Sequence, residues 1–215
     1  MHTFDAGAVR HVHGVFHDPY RGGEWVLTGD RGEECALWFT PDGFRTLEPV
    51  VRGVQRARAV TVLPTPKALV VPMDSPVERN WIQLLDPGSG RLEPVAELPG
   101  SSFHSGRAGE LLLVSTAVER SRVNTAQYAA LFASLDGERW CEVARLERDL
   151  PLLRNAPPFF QWPTLALPAG TGSDEHVFAT GQALRGLHGA LLRFPVAEVA
   201  SRLALPAAAP LRRAS

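Results

Sequence analysis

The chain has 215 residues, of which 45% are hydrophobic and 21% charged, with a net charge of -1 at pH 7. With 19 Gly and 18 Pro this is the balance of a packed globular protein rich in turns. Near-neutral charge excludes the electrostatic footprint of a nucleic-acid binder or of a protein held on an anionic membrane. No run approaches the roughly 18 apolar residues of a membrane span, and Met1 to Gly14 has no apolar core of signal-peptide length, so a cytoplasmic compartment is expected.

Short alternating runs bounded by Gly, Pro or Asp follow one another along the chain, the pattern of antiparallel strands joined by tight turns. A first unit comprises His11 to Phe16, Glu24 to Leu27, Cys35 to Phe39 and Leu47 to Val51. A second repeats the order with Ala57 to Leu63, Ala68 to Val71, Trp81 to Leu85 and Leu92 to Leu98. The third uses Ser101 to Arg107, Leu111 to Ser115, Ala129 to Ser134 and Trp140 to Leu146. A Pro-rich connector from Asp149 to Pro158 leads to a looser fourth unit, Phe159 to Leu167, His176 to Thr180 and Gly189 to Phe194, without a clear outer strand. Cys35 and Cys141 fall in strand-like segments about two repeats apart, as separate buried thiols rather than a disulfide or metal pair.

The units are related by repetition. Leu47-Glu48-Pro49-Val50 returns 45 residues later as Leu92-Glu93-Pro94-Val95, and Asp30 to Asp74 and Asp42 to Asp86 are both 44 residues apart. A period of about 40 to 50 residues made of short strands predicts an all-β fold, a β-propeller of about four four-stranded antiparallel blades. Residues 1–204 are expected to form this single domain, and the Ala/Pro/Arg-rich residues 205–215 a disordered tail.

The turns between third and fourth strands carry a family resemblance. Thr40-Pro41-Asp42-Gly43-Phe44-Arg45-Thr46-Leu47 and Ser134-Leu135-Asp136-Gly137-Glu138-Arg139-Trp140 resemble degenerate Asp-boxes, the Ser-x-Asp-x-Gly-x-x-Trp turn of sialidase-like (BNR-repeat) propellers. Asp86-Pro87-Gly88-Ser89-Gly90 keeps only the turn chemistry, in which Asp caps turn amides and Gly takes a positive φ. His11-x-His13, followed by Asp18-Pro19-Tyr20 and Thr28-Gly29-Asp30, is similar to bacterial BNR-like proteins of glycosyl-hydrolase type, and the resemblance spans roughly residues 9–194. It implies a sialidase-like propeller that binds a glycan or is a non-catalytic relative of glycoside hydrolases. The alternatives are a glycoside hydrolase with paired carboxylates and a protein-interaction scaffold. Because such propellers have six or seven blades, the resemblance also implies missing N-terminal blades, a homodimer of half-propellers, or a four-bladed ring; unpaired blade faces must otherwise be covered.

In a propeller the starts of first strands and the ends of second strands meet on one rim, away from the Asp-box turns. That rule gathers His11, His13 and Asp30 from the first unit and Arg56, Arg58 and Asp74 from the second. It adds His104, Thr116 and Glu119 from the third, and Gln161 and Gln182 from the fourth. Asp30, Asp74 and Glu119 are the candidate acid, base or nucleophile, since glycoside hydrolysis needs two carboxyls across the scissile bond; the alternative is that loop-end Asp residues cap turns. His11, His13, Arg58, His104, Gln161 and Trp162 are the candidate ligand-binding residues, with Trp162 as a sugar-stacking platform and the other tryptophans in strand patterns. His11 and His13, two apart on a strand, have the geometry by which a metal takes two imidazoles, but no third ligand has diagnostic spacing, so no metal or cofactor is assigned. Intact sialidase chemistry needs an arginine triad and a Tyr nucleophile assisted by Glu. Only Arg58, with Tyr128 beside Glu119, offers parts of it, Tyr20 falling on the other rim.

Overall fold

A computed structural model describes residues 2–150 and 162–203, and these form four antiparallel sheets. The first sheet contains β1 (Val12–Asp18), β2 (Gly23–Thr28), β3 (Ala36–Thr40) and β4 (Glu48–Arg52) in sequential order. After a 3-10 turn at Gln55–Ala57, the second holds β5 (Leu63–Pro64), β6 (Leu69–Pro72), β7 (Asn80–Asp86) and β8 (Arg91–Leu98). β9 (Ser102–Ala108), β10 (Leu111–Thr116), β11 (Tyr128–Ser134) and β12 (Cys141–Glu147) make the third. The fourth has three strands, β13 (Thr164–Ala166), β14 (His176–Gln182) and β15 (Leu191–Pro195), followed by helix α1 (Val196–Leu203). The expected Ala57 to Leu63 strand is the main departure. Its first residues close the 3-10 turn, and ladder pairing begins only at Leu63, opposite Val70. The Asp149 to Pro158 connector lies mostly outside the described residues, as do the first residues of the Phe159 to Leu167 strand and the 205–215 tail.

Period-2 alternation stacks the sheets in chain order. Leu69, Val71 and Leu85 pack with Trp25, Leu27 and Leu37 of the first sheet, whereas their neighbours Val70 and Ile82 face Leu112, Val114 and Phe132 of the third. Leu111, Leu113 and Leu131 point the other way, to Leu165 and Val177 of the fourth sheet and to Val199 of α1. A middle sheet buried on both faces needs apolar residues at successive positions, and β6 and β10 are buried throughout while the outer strands β4 and β8 are exposed or half-buried at every position but Leu98. On the remaining face of the first sheet, Phe4 covers Trp38 edge-on at 5.2 Å.

Hydrogen bonds between adjacent sheets repeat the sequence period. Thr61 Oγ1 and Ser105 Oγ are 44 residues apart, His13 and the Ala59 carbonyl 46, and Ser115 Oγ donates to the Leu165 carbonyl across 50. The β3–β4 turn has the expected chemistry: Asp42 Oδ1 accepts from the amides of Arg45 and Thr46. In the β11–β12 turn Asp136 Oδ1 accepts from those of Glu138 and Arg139, and Trp140 Nε1 donates to the Gly137 carbonyl. These amide bonds hold the carboxyls of Asp42 and Asp136 below the usual range, Asp136 at about 2.

Candidate functional site

The loops that follow β2, β6 and β10, the start of β1 with the residue before it, and the segment that precedes β5 carry one polar cluster. Asp30 sits in the β2–β3 loop, whose shape depends on Gly29 at φ +94, where a Cβ would collide with the Glu34 backbone. Thr28 Oγ1 donates to the Glu34 carbonyl and Gln55 Nε2 to the Asp30 carbonyl, pinning both sides of that loop. Arg58 leaves the 3-10 turn with its carbonyl accepting from the Asp74 amide at 3.0 Å, so the arginine and the aspartate are held together by backbone. The Arg58 guanidinium then bridges two carboxylates, its Nη2 lying 3.4 Å from Asp30 Oδ1 and 3.3 Å from Asp74 Oδ2.

His13 Nδ1 is 2.9 Å from the Ala59 carbonyl, which can only accept, so Nδ1 carries a proton and Nε2 faces Asp30 Oδ1 at 3.4 Å. His11 Nδ1 lies 3.8 Å from the other oxygen, Asp30 Oδ2. Exposure decreases along the cluster, from the exposed His11 through the half-buried Asp30 to Asp74 at 3%. Asp74 Oδ1 and Arg58 Nε are buried without a hydrogen-bond partner among the described residues. Ser101, whose single hydroxyl proton goes to Glu119 Oε2 at 2.5 Å, connects Asp74 to the third sheet. Burial pushes the Asp74 carboxyl up to about 7; Arg58 pulls it down, and Glu119 pushes it further up.

The cluster therefore unites His11, His13, Asp30, Arg58 and Asp74, with Glu119 joined through Ser101. Among the described residues the side chains of Asp30 and Asp74 are taken by Arg58 rather than by turn amides, and the imidazoles of His11 and His13 lie beside Asp30. Arg56 turns away, to Gln83 Oε1 and the Leu92 carbonyl. His104 stays on β9 opposite Ser115, and burial alone holds its imidazole below the usual histidine range. Trp162 is exposed next to Pro163, whose carbonyl accepts from the Val118 amide, which brings it alongside the Glu119 loop. Trp25 and Trp38 are buried, and Gln161 lies outside the described residues. Tyr128 opens β11 opposite Glu147 and is covered by the Arg145 guanidinium at 4.1 Å; burial raises its phenol further above neutrality. Cys35 is buried and Cys141 half-buried, both as free thiols, and burial lifts Cys35 to about 11, far from thiolate reactivity.

Sequence reasoning missed Ser101 and Asn124. Asn124 donates to the Ser75 carbonyl and to Ser101 Oγ while its Oδ1 accepts from Asn80 Nδ2, tying the second and third sheets beneath Asp74. Its one signal in the sequence is that Asn80 and Asn124 stand 44 residues apart, the repeat spacing itself. No protein-family model matches the chain, and no curated protein is similar enough to count as a relative.

Proposed function

We propose that the four sheets are blades of a sialidase-like β-propeller and that the rim around Arg58 binds a polar ligand, a glycan, without cleaving it. The observation that carries this reading is convergence: three successive sheets each deliver a carboxylate from the loop after their second strand, Asp30, Asp74 and Glu119, to one cluster. Propeller geometry is the general way in which distant, repeated loops meet on one face. The charges select the ligand. Arg58 is already shared by two carboxylates, so it is not free to clamp an acidic sugar, whereas carboxylate oxygens accept from neutral hydroxyls. Exposed Trp162 supplies an apolar face for a sugar ring. Asp74, at 3% exposure, is too deep to touch a glycosidic oxygen, which favours binding over hydrolysis.

Calorimetric titration of the chain with neutral and sialylated oligosaccharides tests the reading. Binding of a neutral glycan that is weakened by Asp30→Asn and Trp162→Ala, with no release of reducing sugar, is the expected result. Absence of any glycan binding, or binding unmoved by both variants, would leave a protein-interaction scaffold instead. A hydrolase reading draws on one observation, the Asp74 carboxyl near 7 beside Glu119, the separation of acid and base that glycosidases use. Turnover of aryl glycosides that disappears in Glu119→Gln would replace the binding reading by that one. Light scattering with small-angle scattering distinguishes a four-bladed monomer from paired half-propellers.

A further inference from the structure

We propose that His11, His13 and Asp30 form a binding site for a divalent transition metal of the zinc class. Their donor atoms, one from each residue, all lie within 4.8 Å of one another. A metal held at about 2.0–2.1 Å by nitrogen and oxygen ligands places those ligands roughly 3.3 Å apart in tetrahedral geometry. The 3.4 Å between His13 Nε2 and Asp30 Oδ1 is near that edge length before any adjustment, and His11 Nδ1 lies 3.8 Å from the second oxygen of the same carboxylate, Oδ2.

Three further features fit a metal. The Nδ1–H of His13 is committed to the Ala59 carbonyl, the outer-shell bond that fixes the tautomer of a ligating histidine and aims Nε2 as a lone pair. In the neutral imidazole that lone pair faces Asp30 Oδ1, and a cation between them turns the contact into two bonds. Arg58 Nη2 lies 3.4 Å from the same oxygen, Asp30 Oδ1, so the carboxylate is held in place without help from the metal. The His13 side chain is 4% exposed and that of His11 52%, which gives a fixed inner ligand and an open side for entry. Two imidazoles and one carboxylate suit zinc or cobalt and leave a position open for water or a ligand hydroxyl.

This inference does not depend on glycan binding, because its test uses the metal alone. Tag-free chain, stripped with chelator and desalted, is titrated with Zn²⁺ by calorimetry and with Co²⁺ by visible absorption. The expected result is one equivalent of each, a cobalt ligand-field band, and affinity reduced at least about tenfold by His11→Ala and by Asp30→Asn. His11 is exposed, so its removal leaves folding intact, and circular dichroism verifies it. His17→Ala, which removes another imidazole paired with a carboxylate, at Glu24, should leave binding unchanged. No stoichiometric uptake, uptake unaffected by His11→Ala and Asp30→Asn, or uptake that follows His17 would each overturn the proposal.

Discussion

Replacing Asp74 with Asn should make the protein more stable at neutral and alkaline pH and leave it nearly unchanged in acid. Burial is the largest influence on this carboxyl and raises it from 3.8 to about 7, in spite of Arg58. Between those two values the folded state keeps a proton that the unfolded state has lost. The stability held through that proton is complete below the unfolded pKa and is lost as pH rises through the folded one. The loss runs at about 1.4 kcal/mol per pH unit and totals about 4 kcal/mol. Asn has the shape of the protonated acid and no charge to bury, and Arg58 keeps Asp30 as its partner. Urea unfolding at a series of pH values from about 4 to about 8.5 measures this directly. The curves of wild type and Asp74→Asn should coincide at the acid end and separate by up to about 4 kcal/mol in favour of the variant at the other. Parallel profiles would refute the assignment of a buried, proton-holding carboxyl. A variant less stable at every pH would show that the Asp74–Arg58 pair outweighs the desolvation it requires.

Asn124→Ala removes a buried amide that satisfies Ser75, Ser101 and Asn80 at once, and should cost about 2–3 kcal/mol in chemical denaturation, with Asn124→Asp no better because its added charge is buried. Asp136→Ala should cost only about 1 kcal/mol, since the turn it caps is solvated. Because the folded carboxyl sits at about 2, that contribution is present above the unfolded value and fades as pH falls towards 2, which acid titration of the unfolding midpoint would reveal.

The strands and their grouping into four antiparallel sheets were legible because their signals are local and repeated. Alternation located nearly every strand to within a residue or two, the Asp turns closed where Asp42, Asp86 and Asp136 stood, and the 44-residue period reappears as hydrogen bonds between neighbouring sheets. The segment after Ala57 defeated that reasoning, since its apolar residues are buried by packing beside the ladder rather than by pairing in it. Residue types at loop ends also marked most of the polar cluster, His11, His13, Asp30, Arg58, Asp74 and Glu119. Their chemistry could not be read the same way. Whether Arg56 or Arg58 joins the carboxylates depends on which face of one short segment turns inward, and the structure turns Arg56 to Gln83. The proton on Asp74 is a property of its burial between two sheets, and the lone pair of His13 is aimed by a carbonyl 46 residues away. A sequence records which side chains can ionise or ligate; the water excluded around them and the partners brought from other repeats are set only when the sheets stack.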